Sequence, residues 1–348
     1  MYNIAVINQG HTENLGDIAI NQVITQHFKN KGCRVVFLPF WDEKRVFNKF
    51  SKCNFLIKAL LKFPVFVDTL NTIRIKKSIK NLNLDGAIIG GGELLSGHKG
   101  FNSSLACWTK ELKKLEVPIA LYGISGDVRM KEYLIKRNTR ALKYFDYICV
   151  RDLNTKKIFE ETYQVITNDV APDVVFALNK ITNSKTDITK HAKYTIFVPV
   201  PFDDKMKSYL NVSNIEEYKA YLVKLIKNNT AEKQKIIFTT TVKDDDEFIK
   251  SLFTDFKTKL TEHECIYQPY ATLADFLSLL TDTDVVLSAR MHAMILGLIH
   301  GCKITPIQFK EKLAVFQNEY NIDVNTDEVA TLSFNGLNKM SNALLKSR

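Results

Sequence analysis

Asp284-Val285-Val286-Leu287-Ser288-Ala289-Arg290-Met291-His292-Ala293-Met294-Ile295-Leu296-Gly297-Leu298-Ile299 reads as a strand, a sharp turn and a helix in one short stretch. Val285 to Leu287 form a brief apolar run of the kind buried in a parallel sheet. Met291 to Ile299 are apolar on nearly every side, the pattern of a buried helix, and Gly301 supplies its stop. In an open α/β sheet, ligands bind beyond the carboxyl ends of the strands. A helix N-terminus placed there favours anions through its backbone N–H groups and dipole. Arg290 and His292 add a guanidinium and an imidazole at this join, a pairing suited to a carboxylate or phosphate with a proton donor beside it. The same two residues could instead serve the fold, Arg290 by pairing with a nearby aspartate and His292 by packing at the helix start.

Outward from this stretch, strand and helix signals alternate along the whole chain, which points to α/β architecture with parallel sheets. Strands are expected at Ile4 to Asn8, Arg34 to Leu38, Asp85 to Ile89, Pro118 to Gly123 and Tyr147 to Val150. Residues 179–193 are apolar-poor and rich in Thr, Asn, Ser and Lys, the composition of a linker. The alternation then resumes at Tyr194. The expected organisation is two doubly wound, Rossmann-like domains, 1–178 and 194–348, joined by 179–193 and flanking a cleft.

At 348 residues the chain is long enough for two sizeable cores. Met1 to Ile7 reads as a strand rather than a signal peptide, and no run approaches the roughly 18 apolar residues of a spanning helix. A cytoplasmic protein, or one peripheral at the inner face of the membrane, is therefore expected. Six cysteines without C-x-x-C spacing point to free buried thiols. The net charge of +10 is concentrated: residues 44–80 hold ten basic side chains against Asp68 alone, so +9 of it lies there. Phe47, Phe50, Ile57 and Leu61 are interleaved at helical spacing with Lys49, Lys52, Lys58 and Lys62. An anionic membrane surface and a nucleic acid are the two partners such a segment could meet. It could equally be a solvated rim around a packed face.

Other strand ends carry their own chemistry. Asn14-Leu15-Gly16-Asp17 sits in the first βα turn, with Gly16 allowing close approach and Asp17 placed to cap a helix from Ile18. Gly90-Gly91-Gly92-Glu93 follows a strand directly; its N–H groups could cradle an anion or sugar, or simply make a tight turn. It is neither a G-x-G-x-x-G fingerprint nor a Walker loop, since His98-Lys99 replaces the required Lys-Ser/Thr. Val150-Arg151-Asp152 repeats the theme of an arginine at a strand end, with an exposed local ion pair as the plainer reading. Asp244-Asp245-Asp246-Glu247 precedes a helix and reads as its acidic first turn rather than a metal site. The histidines show no metal-ligand spacing, so no metal is expected.

Taken in order, Asn14 to Asp17, Asp85 to Gly92, Val150-Arg151-Asp152, Ala171-Pro172-Asp173, Ser288 to Ala293 and Lys312-Leu313 resemble the polysaccharide pyruvyl transferase family. The resemblance runs from about residue 3 to 320 and is weak over 40–80 and 180–230. It implies an architecture similar to glycosyltransferase-B enzymes, with the donor on the C-terminal side and the acceptor on the N-terminal side. It implies transfer of pyruvate from phosphoenolpyruvate, as co-substrate and with no cofactor, onto a sugar of a cell-surface polysaccharide or its lipid-linked precursor. By the same resemblance Arg290, His292, Arg151 and Ser288 are expected at the donor, and Arg290 and His292 in catalysis. Asn14, Gly16, Asp17, Gly90, Gly91, Gly92 and Glu93 are expected to line the acceptor side. Glu93 and Asp17 are the candidate bases. With that function, 44–80 would meet an anionic membrane and no nucleic acid. Two other readings share parts of the pattern: a nucleotide-sugar glycosyltransferase, and a non-catalytic module binding membrane or nucleic acid through 44–80.

Overall fold

Ile4, Ala5, Val6 and Ile7 are all fully buried, as expected of a strand covered on both faces. The computed structural model describes residues 1–42, 63–95, 97–126, 130–182, 193–232, 234–320 and 324–346. Its elements run β1 (Asn3–Asn8), α1 (Leu15–Asn30), β2 (Arg34–Pro39), α2 (Pro64–Ile79), β3 (Gly86–Leu95), α3 (Lys99–Lys114), β4 (Ile119–Gly126), α4 (Glu132–Leu142), β5 (Tyr147–Val150), α5 (Leu153–Glu161), β6 (Asp169–Val170) and α6 (Leu178–Thr182). The second series is β7 (Tyr194–Val198), α7 (Met206–Leu210), α8 (Ile215–Asn229), β8 (Lys235–Phe238), α9 (Asp246–Phe256), β9 (Cys265–Tyr267), α10 (Leu273–Thr281), β10 (Thr283–Ser288), α11 (Met291–Ile299), β11 (Lys303–Pro306), α12 (Glu311–Glu319) and α13 (Thr326–Leu345). Two sheets result, ordered β2-β1-β3-β4-β5-β6 and β11-β10-β7-β8-β9. The strand pairs are parallel throughout. The order reverses between β1 and β3 in the first sheet and between β7 and β10 in the second. Those two reversals are the positions at which doubly wound sheets bind ligands.

The chain divides into two compact units that do not follow a single cut. One comprises Met1–Thr12, Ile20–Ile181 and Ala330–Arg348; the other comprises Glu13–Ala19 and Thr182–Val329. The expected 194–348 domain therefore loses most of its last helix to the first unit. Small residues explain the exchange. Ser333 and Ser341 are fully buried, the Ser333 hydroxyl donates to the Asp173 carbonyl at 3.0 Å, and the Tyr122 hydroxyl donates to the Ser333 carbonyl at 3.2 Å. A Cβ on Gly336 would stand 2.4 Å from that of Ala171, so only glycine lets α13 come so close. In the sequence these positions look like polar interruptions of a surface helix.

Of the basic stretch, α2 is described, whereas the amphipathic run 46–62 and Cys53 lie outside the described residues, as does 183–192 of the expected linker. Arg74, one of the ten basic side chains of 44–80, is buried. Its guanidinium donates to the carbonyls of Pro39 and Phe40 at 2.8 and 2.9 Å and to Asn71 Oδ1 at 2.9 Å. The described cysteines are free thiols, four of them buried. Among the described residues no helix is long and apolar enough to cross a membrane.

Candidate functional site

At the reversal point of the second sheet, the Ala289 N–H donates to the Val198 carbonyl at 2.9 Å, extending the β7–β10 pairing one residue past β10. Ser288 is fully buried, and its Oγ accepts from the Arg290 N–H at 2.9 Å while its hydroxyl reaches the Arg290 carbonyl at 3.0 Å. This small hydroxyl turn converts strand to helix in two residues, and Ser288 acts as its pivot. Arg290 occupies the N-cap of α11 with extended backbone, so its side chain leaves the helix start laterally. Its Nε donates to Asp245 Oδ2 at 2.9 Å, and Nη2 reaches the same oxygen. One third of the Arg290 side chain stays exposed, against 7% of Asp245. The aspartate thus takes one edge of the guanidinium.

Asp245 is the aspartate that the plainer reading pairs with Arg290, although the acidic-run pattern did not single it out. The acidic run 244–247 looks like a helix first turn, yet the Asp245 side chain makes no capping bond, and Asp246 Oδ1 instead accepts from the Tyr270 N–H at 2.9 Å. A 3-10 turn, Lys243–Asp245, presents the carboxylate. That turn is pinned by chain from far away in sequence. Asn14 bridges Val242, the Leu15 N–H donates to the Thr241 carbonyl at 2.8 Å, and the Lys243 N–H donates to the Glu13 carbonyl at 3.0 Å. Burial pushes the Asp245 carboxyl up from the usual aspartate range, and the Arg290 guanidinium opposes that push. Ion pairing alone would have lowered it, so burial is the larger influence here.

His292 lies one residue inside α11, and Gly16 packs flat against it. A Cβ on Gly16 would stand 2.2 Å from His292 Nδ1 and 2.5 Å from Cγ, so the glycine is required by the imidazole itself. Asn14 Oδ1 accepts from the Gly16 N–H at 3.0 Å and fixes this approach. The helix begins at Leu15, not at Ile18, so Asn14 does the capping assigned above to Asp17, which falls inside the first turn. Asn14, Gly16 and Asp17, expected on the N-terminal side, thereby group with Arg290, His292 and Ser288 in one unit. Among the described residues no cluster of His, Cys, Asp or Glu could hold a metal ion.

The remaining candidates belong to the first unit. The glycine run does not follow β3 but continues it: Gly90 pairs with Tyr122 and Gly92 with Ile124. A Cβ at Gly90 would stand 2.0 Å from the Tyr122 carbonyl oxygen, and Gly91 and Gly92 both take φ of +84°. These glycines let β3 and β4 pair closely at the first sheet's reversal point. Glu93 falls in the same strand, its side chain outside the described set. Arg151, expected at the donor or else in an exposed pair with Asp152, has a side chain only 9% exposed that lies between Asp152 and Asp173, 3.7 Å from each. Both carboxylates also cap helices, Asp152 through the Thr155 N–H at 2.6 Å and Asp173 through the Val175 N–H at 3.1 Å. The V-R-D and A-P-D motifs are thus two halves of one buried cluster.

Tandem Rossmann-like units, each with a parallel sheet reversing near its centre, define an α/β protein of glycosyltransferase-B-like architecture. The fold is similar to that of UDP-GlcNAc 2-epimerase from Neisseria meningitidis, solved bound to UDP-GlcNAc, at 10% identity and TM-score 0.54 over 99% of this chain and 94% of that one. The enzyme of the same name from Methanocaldococcus jannaschii gives 12% identity and TM-score 0.55 over 98% and 93%. At such identity the likeness concerns the fold alone. A comparison with curated protein sequences gives no match. A family model described as polysaccharide pyruvyl transferase matches residues 14–308, from the Asn14 turn through β11. The chain belongs to the polysaccharide pyruvyl transferase family and is a transferase.

Proposed function

We propose that the protein transfers pyruvate from phosphoenolpyruvate to two hydroxyls of a sugar, forming a cyclic ketal and releasing phosphate. The observation that carries this reading is the placement of Arg290 and His292 at the reversal point of the second sheet, inside the stretch matched by the family. Phosphoenolpyruvate presents a carboxylate and a phosphate close together. The α11 N-terminus and the outer edge of Arg290 suit one anion each, and the guanidinium fork adds direction that an ammonium lacks. His292 delivers a proton to C3 of the enol, acting as the general acid from the first turn of α11. A sugar hydroxyl then bonds to C2 as it loses its proton to a base, for which Asp17 and Glu93 are the candidates. The second hydroxyl displaces phosphate from C2, and its proton leaves with the phosphate or the same base. No metal is needed for charge that an arginine and backbone N–H groups can meet, so activity should survive exhaustive EDTA treatment.

The acceptor is a hydroxyl-bearing sugar of a cell-surface polysaccharide or of its lipid-linked precursor, and 44–80 would seat the enzyme at an anionic inner membrane face. The test is phosphate release from phosphoenolpyruvate across a panel of free and lipid-linked sugars, with mass spectrometry of the products. One or more acceptors should gain a pyruvyl group with stoichiometric phosphate. Phosphoenolpyruvate left intact throughout, with a nucleotide sugar consumed instead, would contradict the proposal.

A further inference from the structure

We infer that Asp245 is a positioning residue for the donor site, setting the plane of the Arg290 guanidinium so that its outer edge meets the incoming anion. This inference rests on the proposed function and names a residue that neither the resemblance nor the acidic-run pattern singles out. Three observations carry it. Asp245 takes Nε and Nη2 of Arg290 on one oxygen, which holds that edge of the guanidinium at the turn with two charge-assisted bonds. The carboxylate is 7% exposed while the arginine is 33% exposed, so the pair has a buried inner partner and an accessible outer one. That asymmetry fits an anchor better than a surface ion pair, whose two ends would be equally wet. Third, the turn carrying Asp245 is tied by backbone bonds to Glu13 and Leu15, the same segment that sets Gly16 against His292. One short piece of chain therefore fixes both side chains of the site, Arg290 through Asp245 and His292 through Gly16. The acidic side chain so close to an anion site would otherwise be a liability, because it repels the ligand; bound to Arg290 it becomes a hinge pin for the cation.

The experiment compares wild type, Asp245→Asn, Arg290→Ala and the double variant, each checked for melting temperature. It follows phosphoenolpyruvate turnover and, separately, binding of inorganic phosphate by calorimetry. Asp245→Asn keeps one hydrogen-bond acceptor for Arg290 but loses the charge. It should raise KM for phosphoenolpyruvate at least tenfold, leave KM for the acceptor within twofold, and weaken phosphate binding about tenfold. The double variant should be no worse than Arg290→Ala alone, because Asp245 acts only through that arginine. A donor KM unchanged in Asp245→Asn, or losses that multiply in the double variant, would overturn the inference while leaving pyruvyl transfer standing. If wild type turns over no phosphoenolpyruvate, phosphate calorimetry still decides: binding that depends on both Asp245 and Arg290 upholds the anchoring, and binding indifferent to Asp245 refutes it. An Asp245→Asn protein that fails to melt cooperatively is replaced by Asp245→Ser, judged on the same two readouts.

Discussion

Arg290 and His292 stand on consecutive sides of a helix start, and each is set by a residue remote in sequence. On the proposed function, the guanidinium geometry of Arg290 matters beyond its charge. Arg290→Lys should therefore keep the fold and still lose at least tenfold in kcat/KM for phosphoenolpyruvate, since an ammonium can serve Asp245 or the anion but not both as a planar fork. Steady-state kinetics read this directly, and wild-type kcat/KM in that variant would remove the fork from the account. For His292 the sensitive partner is Gly16. A methyl there would stand 2.2 Å from Nδ1, so Gly16→Ala must push the imidazole aside or tilt the start of α1. On the proposed function, the expected result is a fall in kcat of about a hundredfold or more, the worth of a general acid, with donor KM little changed. Equal kcat in Gly16→Ala would show that His292 has no fixed position to lose.

At the scale of elements, α1 and α13 meet through a buried polar contact, His27 Nε2 to Ser341 Oγ at 3.1 Å, with His27 only 3% exposed. Burial, then the charge of Lys31, lowers the His27 pKa to about 4 from an ordinary 6.5. The folded state therefore binds this proton more weakly than the unfolded chain. Stability from neutral His27 is complete above about pH 6.5 and is lost as pH falls through that value towards 4, by up to about 3 kcal/mol. Melting temperatures across that window should drop faster for wild type than for His27→Gln; parallel curves would contradict the burial argument. Elements of this kind were legible in unequal degree. The strand β5 and the helix α11 fall where their apolar runs place them, because both are buried on all sides and hydrophobicity alone marks them. The passage of β3 through Gly90 to Gly92 was not legible, since glycine in a sequence signals a turn and only the neighbouring Tyr122 carbonyl reveals a close strand pairing. Nor was the return of α13 to the first unit, which depends on Ser333, Gly336 and Ser341 meeting partners about 160 to 310 positions away.

For the whole molecule, two doubly wound units could be read from the alternation of strand and helix, and Arg290 with His292 from their place at a strand end. The exchange of Glu13–Ala19 into the second unit and of Ala330–Arg348 into the first could not, because short polar segments carry no periodicity that states where they dock. The same exchange makes the site denser than expected, since it brings Gly16 to His292 and ties Glu13 and Leu15 to the turn that holds Asp245. The concentrated charge of 44–80 belongs to this scale as well. If it seats the enzyme on a membrane, the protein should co-sediment with anionic vesicles at low salt and detach as salt rises. Replacing Lys49, Lys52, Lys58 and Lys62 with Glu should abolish that binding, at about 1 kcal/mol for each lysine near the surface; a protein that ignores such vesicles uses the stretch as an ordinary solvated surface. The most direct test of the central claim is the reaction run in D2O with phosphoenolpyruvate and a responsive sugar. Wild type should yield phosphate and a ketal whose methyl group carries a single deuterium delivered to C3, and Arg290→Ala and His292→Ala should yield neither. A ketal formed at wild-type rate by those variants, or a product with no pyruvyl group at all, would contradict the assignment of pyruvyl transfer to this site.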